Sequence, residues 1–101
     1  MAQKEKSTAK SGRTTSMAAT FRLYAPDAQD VKLAGDFNQW QPQSLRKAKD
    51  GNGLWENTLN LETGQYEYKF IVDGEWLIDP QQENHVPNSY GTFNSVIRIG
   101  R

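Results

Sequence analysis

Lys69 and Trp76 flank an Asp73-Gly74 dipeptide, and their spacing makes them a candidate ligand platform. Asp-Gly between two alternating runs specifies a two-residue hairpin turn, because a type I′ turn needs positive φ at both central positions. With that turn Val72 faces Glu75, Ile71 faces Trp76, Phe70 faces Leu77 and Lys69 faces Ile78. Side chains alternate faces along a strand. Tyr68, Phe70, Val72 and Leu77 therefore share one face, assigned to the core, and Lys69, Ile71 and Trp76 share the other. A large ring placed diagonally to an ammonium can stack on a ligand while the ammonium donates to it. On the hairpin alone, the same pattern also describes a Trp covered by a neighbouring loop beside an ordinary solvated lysine.

The remaining residues capable of chemistry do not assemble a catalytic set. Glycoside hydrolysis needs two carboxyls at fixed separation across a cleft, one of raised pKa. Asp73 is explained by its turn, Asp79 precedes a proline and Asp36 follows a glycine, all ordinary loop positions. The single histidine, His85, lies in a polar stretch with no nucleophile motif near it, and it cannot build a metal site unaided. The sequence is read as non-catalytic, with no cofactor.

Short strands must position these groups. The alternating stretches 20–25, 30–35, 54–61, 65–72 and 93–99 are separated by turn chemistry: Pro26-Asp27, Asp50-Gly51-Asn52-Gly53, and Glu62-Thr63-Gly64 with Gly64 expected in αL. A weak strand is expected over 45–49 and a long polar loop over 81–90. Trp55 falls in phase with Leu59 and Leu61 and belongs to the core, as do Tyr68, Phe70 and Phe21. Nowhere do apolar residues recur at helical spacing over a useful length. Six to eight strands spaced this way indicate an all-β, immunoglobulin-like antiparallel sandwich.

The 101 residues suffice for one domain with a modest core. Residues 1–19 carry four cations against one acid, a balance of +3, whereas 20–101 carry eight against eleven, a balance of −3. Residues 1–18 lack aromatic and β-branched aliphatic side chains and are read as a disordered basic tail, with 19–101 as the folded domain. Such a tail serves as a solvated leader or a weak electrostatic attachment. The acidic folded part argues against nucleic acid as the main partner. No apolar run is long enough to span a membrane, and no hydrophobic signal segment opens the chain. With no cysteine there is no disulfide framework, which suits a reducing compartment; cytoplasmic residence is the expectation.

Five motifs then occur in order: Gly35-Asp36-Phe37-Asn38-Gln39-Trp40, Gly64-Gln65-Tyr66-Glu67-Tyr68-Lys69-Phe70, Val72-Asp73-Gly74-Glu75-Trp76, Asp79-Pro80, and Tyr90-Gly91-Thr92-Phe93-Asn94. Each is weak alone. The series, spanning about 20–100, resembles the family 48 carbohydrate-binding modules. Within these it is similar to the glycogen-binding domain of AMP-activated protein kinase β subunits and to the early-set module preceding the barrel of glycogen branching and debranching enzymes. The resemblance implies a non-catalytic module for α-1,4-glucans such as glycogen, starch and maltooligosaccharides. It assigns sugar contacts to Trp40, Lys69, Trp76, Tyr90, Thr92 and Asn94. Where the glycogen-binding domains often carry Leu, this chain has Tyr90, which can pack on a sugar face and add a hydroxyl; that bears on chain-length preference. It also implies a glycogen-metabolising enzyme or a kinase as partner. The kinase β subunits assemble through a further C-terminal segment that the resemblance does not reach, so membership in that complex is not an expectation here.

These residues suit that ligand. A glucose ring offers C–H patches on its faces and hydroxyls on its rim; an indole covers the former and polar neighbours satisfy the latter. Phe37 is expected to plug the sandwich, leaving Trp40 to point outward, while Asn94 either meets the ligand or caps a turn through its own backbone. Two other classes compete. One is an early-set interaction module docking a kinase or glycoside hydrolase without binding sugar. The other is a single-stranded nucleic-acid binder stacking bases on Trp40 and Trp76, which the charge balance disfavours.

Overall fold

A computed structural model describes residues 16–50 and 52–100. The described residues form nine strands: β1 (Ser16–Tyr24), β2 (Val31–Gly35), β3 (Gln43–Ser44), β4 (Arg46–Lys47), β5 (Leu54–Glu62), β6 (Gly64–Val72), β7 (Glu75–Leu77), β8 (His85–Pro87) and β9 (Phe93–Ile99). One sheet has the order β1-β5-β4 and the other β3-β2-β6-β9-β8, every pairing being antiparallel. β7 shares the β9 edge of β6, pairing Phe70↔Leu77, Ile71↔Trp76 and Val72↔Glu75. That is the register which the Asp73-Gly74 turn predicts, and Asp73 (φ 48) and Gly74 (φ 88) both take the required positive φ.

The two sheets enclose one core. Ala19, Phe21 and Leu23 from β1 and Trp55 and Leu61 from β5 meet Val31, Leu33, Tyr68, Phe70 and Ile99 from the facing sheet. Rings dominate its centre, with Phe21 and Tyr68 edge to face at 5.0 Å. Phe37 plugs this core, as expected: its ring lies 5.2 Å from Phe21. Tyr68 sends its hydroxyl to Asp79 Oδ2 at 2.6 Å, and Asp79 N donates to Ser95 Oγ at 2.7 Å, all three residues being buried. Burial, then the bond to the Asp79 carboxylate, pushes the Tyr68 hydroxyl well above the usual phenol range.

Several elements differ from the sequence reading. β1 begins at Ser16, so it takes in residues 16–18 of the expected tail, where Met17 pairs with Leu61; the rest of that tail, 1–15, lies outside the described residues. The expected strand at 45–49 is two short strands, because Leu45 buries itself between the sheets while β3 pairs with β2 and β4 with β5. The polar loop contains β8, an edge strand on β9 that tolerates Pro87. Gly64 adopts φ 157 rather than αL. Leu77 lies opposite Phe70 yet is 37% exposed, since β7 is three residues long and pairs on one side only.

Candidate functional site

β6 has a second face, turned away from the core, and it carries Glu67, Lys69 and Ile71 in the strand's two-residue repeat. That face is not bare. Lys69 is 8% exposed and Ile71 is buried as well. Two segments fold back over it: the 3₁₀ turn Asp36–Asn38 with the residues after it, and the loop 88–92 between β8 and β9. Trp76 rises beside Ile71 across the β6–β7 ladder. Together these elements form a groove of about 890 Å³ lined by Trp40, Glu67, Lys69, Trp76, Asn88, Ser89, Tyr90, Thr92 and Asn94. All six residues singled out from sequence thus share one groove, although they come from four separate stretches of chain.

Their environments differ. Trp76 is 47% exposed, and among the described residues its indole N–H has no hydrogen-bond partner. Trp40 is half-buried and its Nε1 donates to Asp36 Oδ1 at 3.0 Å. Tyr90 is 88% exposed at the groove's lip, in the turn before Gly91, whose φ is 83. Lys69 Nζ donates to Thr92 Oγ1 at 3.1 Å, and among the described residues it makes no ion pair. An ammonium carries three donors, so two remain for a ligand.

Asn94 is buried and caps no turn of its own. Its Nδ2 donates to Glu67 Oε1 at 3.0 Å, and its Oδ1 accepts from Asn88 Nδ2 at 2.9 Å. Asn88 organises the loop: its Oδ1 accepts from Tyr90 N (3.0 Å) and Thr92 N (3.1 Å), and its Nδ2 reaches Thr92 Oγ1 at 2.8 Å. Asn88, Glu67 and Asp36 are the residues that sequence reasoning missed. A signal existed for each: Asn after proline in Pro87-Asn88-Ser89-Tyr90-Gly91 is turn chemistry, Glu67 sits two residues before Lys69 on the same face, and Asp36 is four residues before Trp40.

The groove joins three aromatic side chains, one ammonium, one carboxylate and several amide and hydroxyl groups. That chemistry fits a neutral, polyhydroxylated ligand with apolar ring faces. The acid of the hairpin turn serves the fold instead. Asp73 Oδ1 accepts from Gln29 N at 3.0 Å and Asp30 N at 2.9 Å, and so anchors the connection between β1 and β2. Among the described residues there is no group of three or more His, Cys, Asp or Glu able to hold a metal ion, and no helix long and apolar enough to cross a membrane.

Comparisons with known proteins place this groove in context. The family described as the glycogen recognition site of AMP-activated protein kinase matches residues 18–101. Protein PTST homolog 2, chloroplastic, from Arabidopsis thaliana is 38% identical over 77 residues, 76% of this chain and 14% of that protein. The human 5'-AMP-activated protein kinase subunit beta-1 is 35% identical over 71 residues, covering 70% of this chain and 25% of that subunit. The 1,4-alpha-glucan branching enzyme GlgB of Lactobacillus acidophilus is 45% identical over 66 residues, 60% of this chain and 10% of the enzyme. The chain therefore spans only a small part of these relatives. Among solved structures, maltogenic amylase from S. marinus superposes with a TM-score of 0.65 at 26% identity, covering 83% of this chain and 14% of that one. The enterobactin esterase of Shigella flexneri superposes at 0.71 with 16% identity over 89% of this chain and 31% of that one, a likeness of fold alone. The chain belongs to the family of the glycogen recognition site of AMP-activated protein kinase, a non-catalytic carbohydrate-binding module of immunoglobulin-like fold.

Proposed function

We propose that the domain binds α-1,4-linked glucans, whether glycogen, starch or maltooligosaccharides, and so holds itself or a partner enzyme at the polymer. One observation carries this reading: Trp40, Lys69, Trp76, Tyr90, Thr92 and Asn94 converge on a single groove. Trp40 and Trp76 cover the C–H faces of successive glucose rings, Tyr90 packs from the rim, and Lys69, Thr92 and Asn94 satisfy hydroxyls. Leaving such hydroxyls without partners would cost about 1–3 kcal/mol each. The groove is open, so a Kd between roughly 1 µM and 1 mM is expected. Support for a partner enzyme comes from the relatives, a kinase subunit and a branching enzyme, of which this domain matches a minor share.

Titration with maltoheptaose, followed by tryptophan fluorescence, tests the reading, with retention on amylose against a cellulose control as its companion. A saturable change and selective retention on amylose are expected. A flat titration would instead leave an interaction module that docks a kinase or glycoside hydrolase without sugar.

A further inference from the structure

We propose that Asp36 is the positioning residue of the groove, locking the Trp40 indole to the sheet before any ligand arrives; this rests on the glucan reading above. The β2–β6 ladder ends at the pair Gly35↔Tyr68. One residue beyond it, Glu67 N finds the Asp36 carboxylate in place of a strand carbonyl, donating to Oδ2 at 2.8 Å. The other oxygen, Oδ1, accepts from Trp40 Nε1 at 3.0 Å. A single carboxylate thus terminates the sheet and fixes the ring.

The backbone shows why a lock is needed. Gln39 (φ 55) and Trp40 (φ 60) are two successive non-glycine residues in the left-handed region. L-residues leave that region unless their surroundings hold them there. Trp40 N donates to Gly35 O at 2.9 Å, which closes the loop, but among the described residues only Asp36 hydrogen-bonds the ring. Because Glu67 is also the residue that receives Asn94 Nδ2, the bonds run on from Trp40 through Asp36, Glu67, Asn94, Asn88 and Thr92 to Lys69. Trp76 stands outside this chain. The two indoles consequently play different parts: Trp40 offers its face alone, its N–H being spent on Asp36, whereas Trp76 offers its face and a free donor.

The variants Asp36→Ala and Asp36→Asn test this, with Asp27→Asn, in an exposed loop, as control. The readouts are hydrogen exchange at each indole N–H by NMR and the Kd for maltoheptaose. In Asp36→Ala the Trp40 indole N–H should exchange about tenfold faster or more, with the Trp76 signal unchanged, and the Kd should weaken about tenfold. Asp36→Asn keeps the shape but has one acceptor oxygen for two donors, so it should fall between and remain informative where the alanine variant does not fold. Wild-type exchange at Trp40 in both variants, or a Kd within twofold of wild type despite faster exchange, would overturn the assignment alone. No binding of maltoheptaose by the wild type would overturn the glucan reading and the assignment together.

Discussion

Lys69 Nζ donates to Thr92 Oγ1 across 3.1 Å, tying the floor of the groove on β6 to the loop that forms its rim. Lys69 lines the groove and makes no ion pair among the described residues, so ligand hydroxyls can take its other donors. Lys69→Met keeps the apolar stem and removes the donors. Maltoheptaose affinity should fall by about 1.5–3 kcal/mol, the usual worth of hydrogen bonds to a charged group. Isothermal titration calorimetry checks this, and thermal melting should show no loss of stability.

Asn88 closes the rim loop with backbone bonds to Thr92 O (2.9 Å) and from Gly91 N (3.4 Å), and its side chain adds a second set. Asn88→Ala removes the acceptor for Tyr90 N and Thr92 N and the donor to Asn94. Amide exchange at Tyr90 and Thr92 should accelerate, and glucan affinity should drop by about 1–2 kcal/mol through lost preorganisation. Amide exchange by NMR with a parallel maltoheptaose titration decides it.

Tyr68 gives the fold a pH dependence at the alkaline end. Its hydroxyl is raised by burial and by Asp79, so the folded state keeps a proton that the unfolded state releases near the ordinary phenol value of about 10. The contribution is complete below about pH 10 and is lost as pH rises further, at up to about 1.4 kcal/mol per pH unit for one proton. Tyr68→Phe should lose about 1–3 kcal/mol at pH 7, because Asp79 loses its donor, and should show a shallower decline above pH 10. Urea denaturation from pH 7 to 11 measures both.

Much of this was legible in the sequence because local rules decided it. Asp73-Gly74 fixed the hairpin register, and that register put Lys69 and Trp76 on one face. What the pattern of alternation could not show was the cover over that face. Lys69 is buried where loops fold back over the strand, and their paths depend on long-range bonds such as Asp36 to Glu67 and Asn94 to Glu67. The split at Leu45 was hidden for a related reason: one buried side chain, rather than an alternating run, marks where the chain changes sheets. β8 was missed because its edge position allows a proline and exposed polar residues.

Gly35 tests the close approach that lets the Trp40 loop leave β2. Its φ of −172 is ordinary extended backbone, so the requirement is space. A Cβ there would lie 2.6 Å from Glu67 O and 2.7 Å from Tyr68 Cβ. Gly35→Ala should destabilise the domain by about 1–3 kcal/mol in urea titrations, as overpacking does.

Retention on glycogen by Trp40→Ala and Trp76→Ala bears most directly on the groove, with circular dichroism to follow the fold. Each ring should be worth about 1–3 kcal/mol, by analogy with base stacking, enough to abolish retention at such modest affinity. The expected result is loss of retention by each variant with a wild-type β spectrum. Retention of both variants at the wild-type level would contradict the account.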